Sequence, residues 1–196
     1  MRVYVIAANT FREAIKDRLI FGLLVAGVIL ISLSILAAKL AFVQEYKVMT
    51  DIGLAVITLT GMVMAVFTGA GLFTRETEQR RIYSVLSKSV PRYQLVLGKY
   101  FGTVFALTVN LVVMTLYLLV FILVFADTWT PRILEAALMI ELELLVIAAM
   151  AMFFASFTTS VLSIFYSALL FMACHMLEDI RTYFKAGSAV GRIVSR

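Results

Sequence analysis

Long uncharged runs alternate with short polar segments along this chain. Leu19 to Ala38, Ile52 to Phe73 and Tyr100 to Ala126 contain no Asp, Glu, Lys or Arg. A bilayer core of about 30 Å takes roughly 20 apolar residues of α-helix, so each run predicts one crossing. A fourth uncharged block, Leu144 to Leu177, is too long for one crossing and slightly short for two. With the partly polar approach from Ile133 included, it predicts two tightly connected helices that turn near Ser156-Phe157-Thr158-Thr159-Ser160. The pattern therefore predicts an all-α integral membrane protein, a polytopic bundle with five visible crossings. Residues 1–18 differ in kind. Val3, Ile6, Ala7, Ala14 and Ile15 can share a broad apolar face, with Arg12, Glu13, Lys16 and Asp17 elsewhere, as in a helix lying along the membrane interface.

Composition agrees with this class. The chain has 196 residues, 63% of them hydrophobic and 15% charged, with a mean hydropathy of +1.02. A soluble domain is nearer half apolar and a quarter charged. The net charge of +5 follows the excess of Lys and Arg on cytoplasmic segments and does not argue for nucleic acid. Arg2, Arg12, Lys16 and Arg18 place the amino terminus in the cytoplasm, and the basic segment after Phe73 places the second loop there too. The first loop offers only Lys39 and Lys47, and the third only Arg132. Five crossings leave the tail after Leu177 outside, where Arg181, Lys185, Arg192 and Arg196 conflict mildly with the same rule. The first apolar run is a full span preceded by Glu13 and Asp17 as well as bases, so no cleavable signal is expected. Cys174 is the single cysteine, which excludes an intrachain disulfide.

Few side chains suggest chemistry. Gly61, Ala65 and Gly69 recur every four residues and form a small-residue groove for close helix packing, within the subunit rather than between subunits. Glu135, Glu141 and Glu143 open the fourth crossing but share no narrow helix face, so they are expected near the outer interface, where carboxylates reach water. Cys174 and His175 are adjacent and diverge by about 100° on a helix, poor geometry for one metal. No zinc spacing, P-loop, nucleophile elbow or carboxylate pair is present, so no metal, cofactor or catalytic site is expected. Any ATP-driven work would need a separate motor. The spans carry Thr, Ser, Met and aromatics with Asn110 the one amide of the third run, a lining suited to lipidic or amphipathic cargo.

The polar segment from Arg75 to Lys99 is the most informative. It holds six basic residues (Arg75, Arg80, Arg81, Lys88, Arg92, Lys99) and two glutamates between uncharged runs. Residues 74–88 lack glycine and proline. Thr74 is expected to cap a helix with Glu76 and Glu78 in its first turn, and Ile82, Val85 and Leu86 form its apolar stripe. Pro91 ends that helix and turns Val90 away from helical geometry. A second helix starts around Arg92 and returns to the bilayer. Such a helix–turn–helix is a lever whose tip presents a cytoplasmic surface.

At these residues the chain resembles the membrane subunit of a type-2 ABC exporter, in the branch that includes permeases associated with copper-enzyme maturation and gliding motility. That branch carries a loop reading roughly Glu-x-Glu-x-x-Thr-Ile-x-x-Leu-Leu-Ser-(Lys/Arg)-Pro-Val-x-Arg, then Leu-Gly-Lys. The matching residues are Glu76, Glu78, Ile82, Leu86, Ser87, Lys88, Pro91, Arg92, Leu97, Gly98 and Lys99. Thr10 to Arg18 also resembles the interfacial helix of these permeases, and the likeness covers roughly residues 1–177. The resemblance implies a permease subunit of the cell's inner membrane that dimerises to form an export pathway. It implies that separate cytoplasmic P-loop ATPase subunits drive it, with membrane lipids around it. It implies further that Glu76, Glu78, Arg80, Arg81 and Tyr83 form the ATPase-docking face and that Lys88, Pro91 and Arg92 fix the turn of the coupling loop 74–99. Arg81 stands where the family has threonine. The family has six crossings, so residues 178–196 read as a connector to a sixth span. The alternative class is a non-transporting scaffold that recruits a soluble partner through the same loop. A membrane-embedded enzyme would lack a convergent catalytic set.

Overall fold

Each predicted crossing is one helix, and α3 stands at the centre of the set. The computed structural model describes the backbone of residues 2–40, 45–78, 92–126 and 132–194, and side chains of residues 4–39, 46–71, 93–125 and 132–177. The helices are α1 (Arg2–Lys16), α2 (Arg18–Leu40), α3 (Glu45–Glu78), α4 (Arg92–Ala126), α5 (Arg132–Ala155) and α6 (Ser160–Val194). Five of them, α2 to α6, contain stretches long and apolar enough to cross a membrane. The protein is an all-α, multi-pass membrane bundle. Half of the α3 stretch is buried, against 17% for α2 and 11% for α6. α3 touches α2, α4, α5 and α6, whereas α2 and α6 turn most of their surface outward.

The turns follow local chemistry. Asp17 separates α1 from α2: its Oδ1 accepts the backbone N–H of Leu19 at 3.1 Å, and its carbonyl accepts those of Ile20 and Phe21. That is an N-cap, which satisfies amides that would otherwise lack partners. Between α5 and α6 the turn falls at residues 156–159, as the pattern predicts. There Ser156 Oγ and Thr158 Oγ1 each donate to a carbonyl of the last α5 turn, Phe153 and Phe154, at 2.7 Å. The Thr159 carbonyl accepts the Ser163 N–H at 2.9 Å and starts α6.

Small residues set how closely the helices approach. Along α3, Gly61 faces the Leu144 side chain, Ala65 is fully buried, and Gly69 lies against α5. A Cβ added at Gly69 would lie 2.9 Å from the Cβ of Ala151 and 3.1 Å from the Ala148 carbonyl oxygen. The groove is filled by α5 of the same chain. A second close approach joins α1 to α4, where a Cβ on Gly102 would lie 2.7 Å from the Ala7 carbonyl oxygen and 2.6 Å from the Thr10 Cβ.

Two expectations change. The buried stripe of α1 contains Thr10 and Ala14, with Phe11 packed edge-on against Phe105 of α4 at 4.6 Å between ring centroids. Ile15, assigned to the apolar face, is 52% exposed. The stripe is set by where α4 offers Gly102, not by hydrophobicity alone. Thr74 does not start a helix: α3 runs unbroken through it to Glu78, because continuing leaves no new set of unbonded amides to cap. Residues 178–194 continue α6 as helix.

Replacing Gly102 or Gly69 by alanine is expected to destabilise the bundle by about 1–3 kcal/mol, since backbone must move to admit the methyl. Gly22, with nothing within 4 Å of an added Cβ, is the control: its alanine variant should be neutral, or stabilised by up to about 1 kcal/mol. Thermal unfolding of the three variants in one detergent checks this. An equal loss in all three would refute the close-approach account.

Candidate functional site

The amino-terminal face of the bundle brings Lys99 together with Glu13 and Asp17 around one cavity. α1 lies across the start of α4 and leaves a cavity of about 490 Å³ between α1 and the near ends of α2, α3, α4 and α6. Its polar lining includes Asn9, Thr10, Glu13, Asp17, Lys99 and Ser160; the remainder is largely apolar, with Ile20, Leu23, Met64 and Phe67 among it. Lys99 is only 5% exposed. This corrects the reading of Arg75 to Lys99 as one presented surface, because its last base is folded beneath α1. A buried ammonium needs compensating partners, and Glu13 and Asp17 border the same cavity. Glu13 is exposed at its edge and Asp17 half-buried.

The residues assigned to docking continue away from this face. Glu76 and Glu78 belong to the final turn of α3, and Arg92 opens α4. Arg80, Arg81, Tyr83, Lys88 and Pro91 lie outside the described residues. Gly61, Ala65 and Gly69 sit in the α3–α5 seam, remote from the docking segment along α3.

The glutamates of α5 separate into three environments. Glu135 is exposed. Glu141 is half-buried, and the Thr108 hydroxyl of α4 lies 2.6 Å from its Oε1 and donates to it. Its Oε2 is buried without a partner among the described residues. At a rise of about 1.5 Å per residue, Glu141 stands about 14 Å along α5 from Arg132. The expectation that it reaches outer water fails for this residue, because it faces α4 across the helix interface. Glu143 Oε1 lies 3.6 Å from His175 Nδ1, and the imidazole stacks on Phe171 at 5.0 Å between centroids. A second cavity of about 380 Å³ is lined by Met139, Ile140, Glu143, Cys174 and His175. Among the described residues, no three His, Cys, Asp or Glu side chains are grouped to hold a metal ion.

Sequence reasoning missed the burial of Lys99 and the cross-helix hydrogen bonds, of which two show why. Ser32 Oγ and Tyr117 Oη lie 2.7 Å apart between α2 and α4, and Thr108 meets Glu141 between α4 and α5. Their partners are 85 and 33 residues apart in sequence, so no local pattern joins them. The signal for Lys99 was available: it follows Gly98 directly at the mouth of an uncharged run, where a base must either emerge or be paired. Searches against protein-family models, curated proteins and solved structures return no match for the chain.

Thr108→Val should destabilise the bundle by about 0.6–2 kcal/mol, since the Glu141 carboxyl then loses its donor in a setting that offers little water. Thr108→Ser, which keeps the hydroxyl, should restore most of that loss. Reversible unfolding in mixed micelles measures both; equal stability of the valine variant and the unaltered protein would remove the bond's importance.

Proposed function

We propose that this chain is the permease subunit of an ATP-binding-cassette exporter, moved by separate cytoplasmic ATPase subunits that dock on the loop between α3 and α4. The observation that carries the reading is the continuity of α3. Its uncharged apolar run ends at Phe73, yet the helix runs on to Glu78. Five further residues extend it about 8 Å beyond that run. The same helix packs against α2, α4, α5 and α6. A displacement at its protruding end is therefore delivered to the centre of the bundle without passing through a flexible joint. The loop residues that match the exporter pattern begin on this protrusion.

In this reading Glu76, Glu78, Arg80, Arg81 and Tyr83 make the docking face, and Lys88, Pro91 and Arg92 set the turn that joins α3 to α4. Closure of the ATPases on ATP pushes the loop, tilting α3 and α4 together. α1 follows α4 because of the tight crossing at Gly102. Two such subunits enclose the pathway, whose opening alternates with the ATPase cycle. The amino terminus and the loop face the cytoplasm, and the membrane is the cell's inner one. The chain itself performs no hydrolysis. Lys99 supports the loop from within the fold and belongs to no docking surface, since it is buried.

The test is purification of the tagged chain from native membranes in mild detergent. The expected result is a stoichiometric P-loop ATPase that is lost, by at least about tenfold, when Glu76→Gln and Glu78→Gln are combined; this corresponds to about 1.4 kcal/mol of docking energy. Recovery with an unrelated soluble protein through the same loop would instead establish a scaffold. An ATPase retained undiminished by the double variant would overturn the assignment of the docking face.

A further inference from the structure

The cavity beneath α1 is largely apolar, and its charged lining is already engaged. Glu13, Asp17 and Lys99 each take part in an interaction, so an occupant is selected by the rest of the wall. Ile6, Ile20, Leu23, Met64 and Ile164 belong to that wall. Met64 is 2% exposed, and Ile20, Leu23 and Ile164 are partly buried against the same core cluster. Leu19 and Phe67, 59% and 46% exposed, line the cavity from membrane-spanning stretches of α2 and α3. The cavity therefore opens onto surface that faces lipid. We propose that it takes up one acyl chain of a phospholipid from the adjoining leaflet, whatever headgroup that lipid carries.

Position and volume both select a chain. The walls include the first turn of α2 at Leu19 and Ile20, the α3 span near its end at Thr68 and Gly71, and the starts of α4 and α6 at Leu95 and Ser160. The ends of apolar stretches stand at the border between hydrocarbon and headgroups. A chain can bend in from the hydrocarbon there without crossing water. The volume of about 490 Å³ falls within the 300–1,000 Å³ typical of small-molecule sites. Left empty, such a space forfeits dispersion contacts for every side chain around it. Water replaces them poorly, because the end beside Leu23, Met64 and Ile164 offers few of the hydrogen-bonding partners that a buried water needs. Hydrocarbon supplies the missing contacts at no polar cost. A peptide segment would have to carry its backbone N–H and C=O groups into the same apolar end, where they would go unpaired. Asn9 lines the cavity and is exposed, and its side-chain amide can donate to the ester carbonyl at the root of the chain. The site asks no charge of the lining and holds whether an ATPase or another partner occupies the loop.

Photolabelling of the full chain in nanodiscs tests the site. The probe is phosphatidylcholine with a diazirine at the end of one acyl chain, and peptide mass spectrometry locates the adducts. Leu33 of α2 and Val120 of α4, each 51% exposed, give the reference for ordinary contact with lipid. Adducts on the buried Met64 are expected at a level comparable to that reference. Leu23→Trp and Ile164→Trp fill the cavity from two different helices, and each should lower the Met64 adducts by about tenfold relative to the reference. Thermal unfolding identifies which variants are folded, and either one suffices. Exchanging the probe for phosphatidylglycerol with the same labelled chain should leave the ratio unchanged. Absence of Met64 adducts in the unaltered protein, undiminished adducts in a folded variant, or a ratio that shifts about tenfold with the headgroup would each overturn the proposal.

Discussion

The close approach of α3 to α5 is the contact on which the rest of the bundle depends. Helices in lipid gain nothing from hiding apolar surface, because the acyl chains around them are just as apolar. Association therefore rests on dispersion and on how near two backbones can come. Gly61, Ala65 and Gly69 lower the surface of α3 along one line, and Leu144, Ala148 and Ala151 of α5 enter it. With α5 fixed there, α6 follows by its short turn, and α4 closes the other side of α3 through Leu107, Met114 and Leu118.

Hydroxyl side chains then lock the register. Most of them return their proton to their own helix, as Thr50, Thr58 and Thr60 do to carbonyls four residues earlier, which removes an unpaired donor from the bilayer core. A few reach across. Ser163 Oγ donates to the Ala151 carbonyl at 2.8 Å and is fully buried, joining α6 to α5 beside the Gly69 crossing. Serine suits this place because it is small enough for the approach and still carries a donor. Among the described residues, buried side-chain oxygens with no protein partner are Thr103 Oγ1 and Thr115 Oγ1 in α4, Glu141 Oε2 in α5 and Ser160 Oγ at the start of α6.

The amino-terminal face has a different basis. There α1 is held by a glycine crossing and an aromatic contact rather than by an extended seam, and it closes over a charged pocket. Its packing on α4 is what turns Lys99 inward. The helix, the cavity and the start of α4 thus form one unit at the end of the lever that α3 provides.

Much of the architecture was legible in the chain. Bilayer thickness demands a minimum apolar length, and an uncharged run of that length is a local property; hence the five crossings and the turn at Ser156 to Ser160 could be read directly. The four-residue spacing of Gly61, Ala65 and Gly69 likewise marked a groove. Which helix fills it could not be read, because the spans are apolar on all sides and their periodicity does not distinguish a protein-facing surface from a lipid-facing one. The same ambiguity misplaced Ile15 on the buried face of α1 and sent Glu141 to water. Charge marks a residue as costly to bury but does not say whether a partner from a distant segment will offset that cost. The sequence by itself determined which five stretches of the described residues are long and apolar enough to cross a membrane. Only the tertiary structure decided that Lys99 turns inward and that Thr108 meets Glu141, since both depend on contacts between helices far apart in the chain.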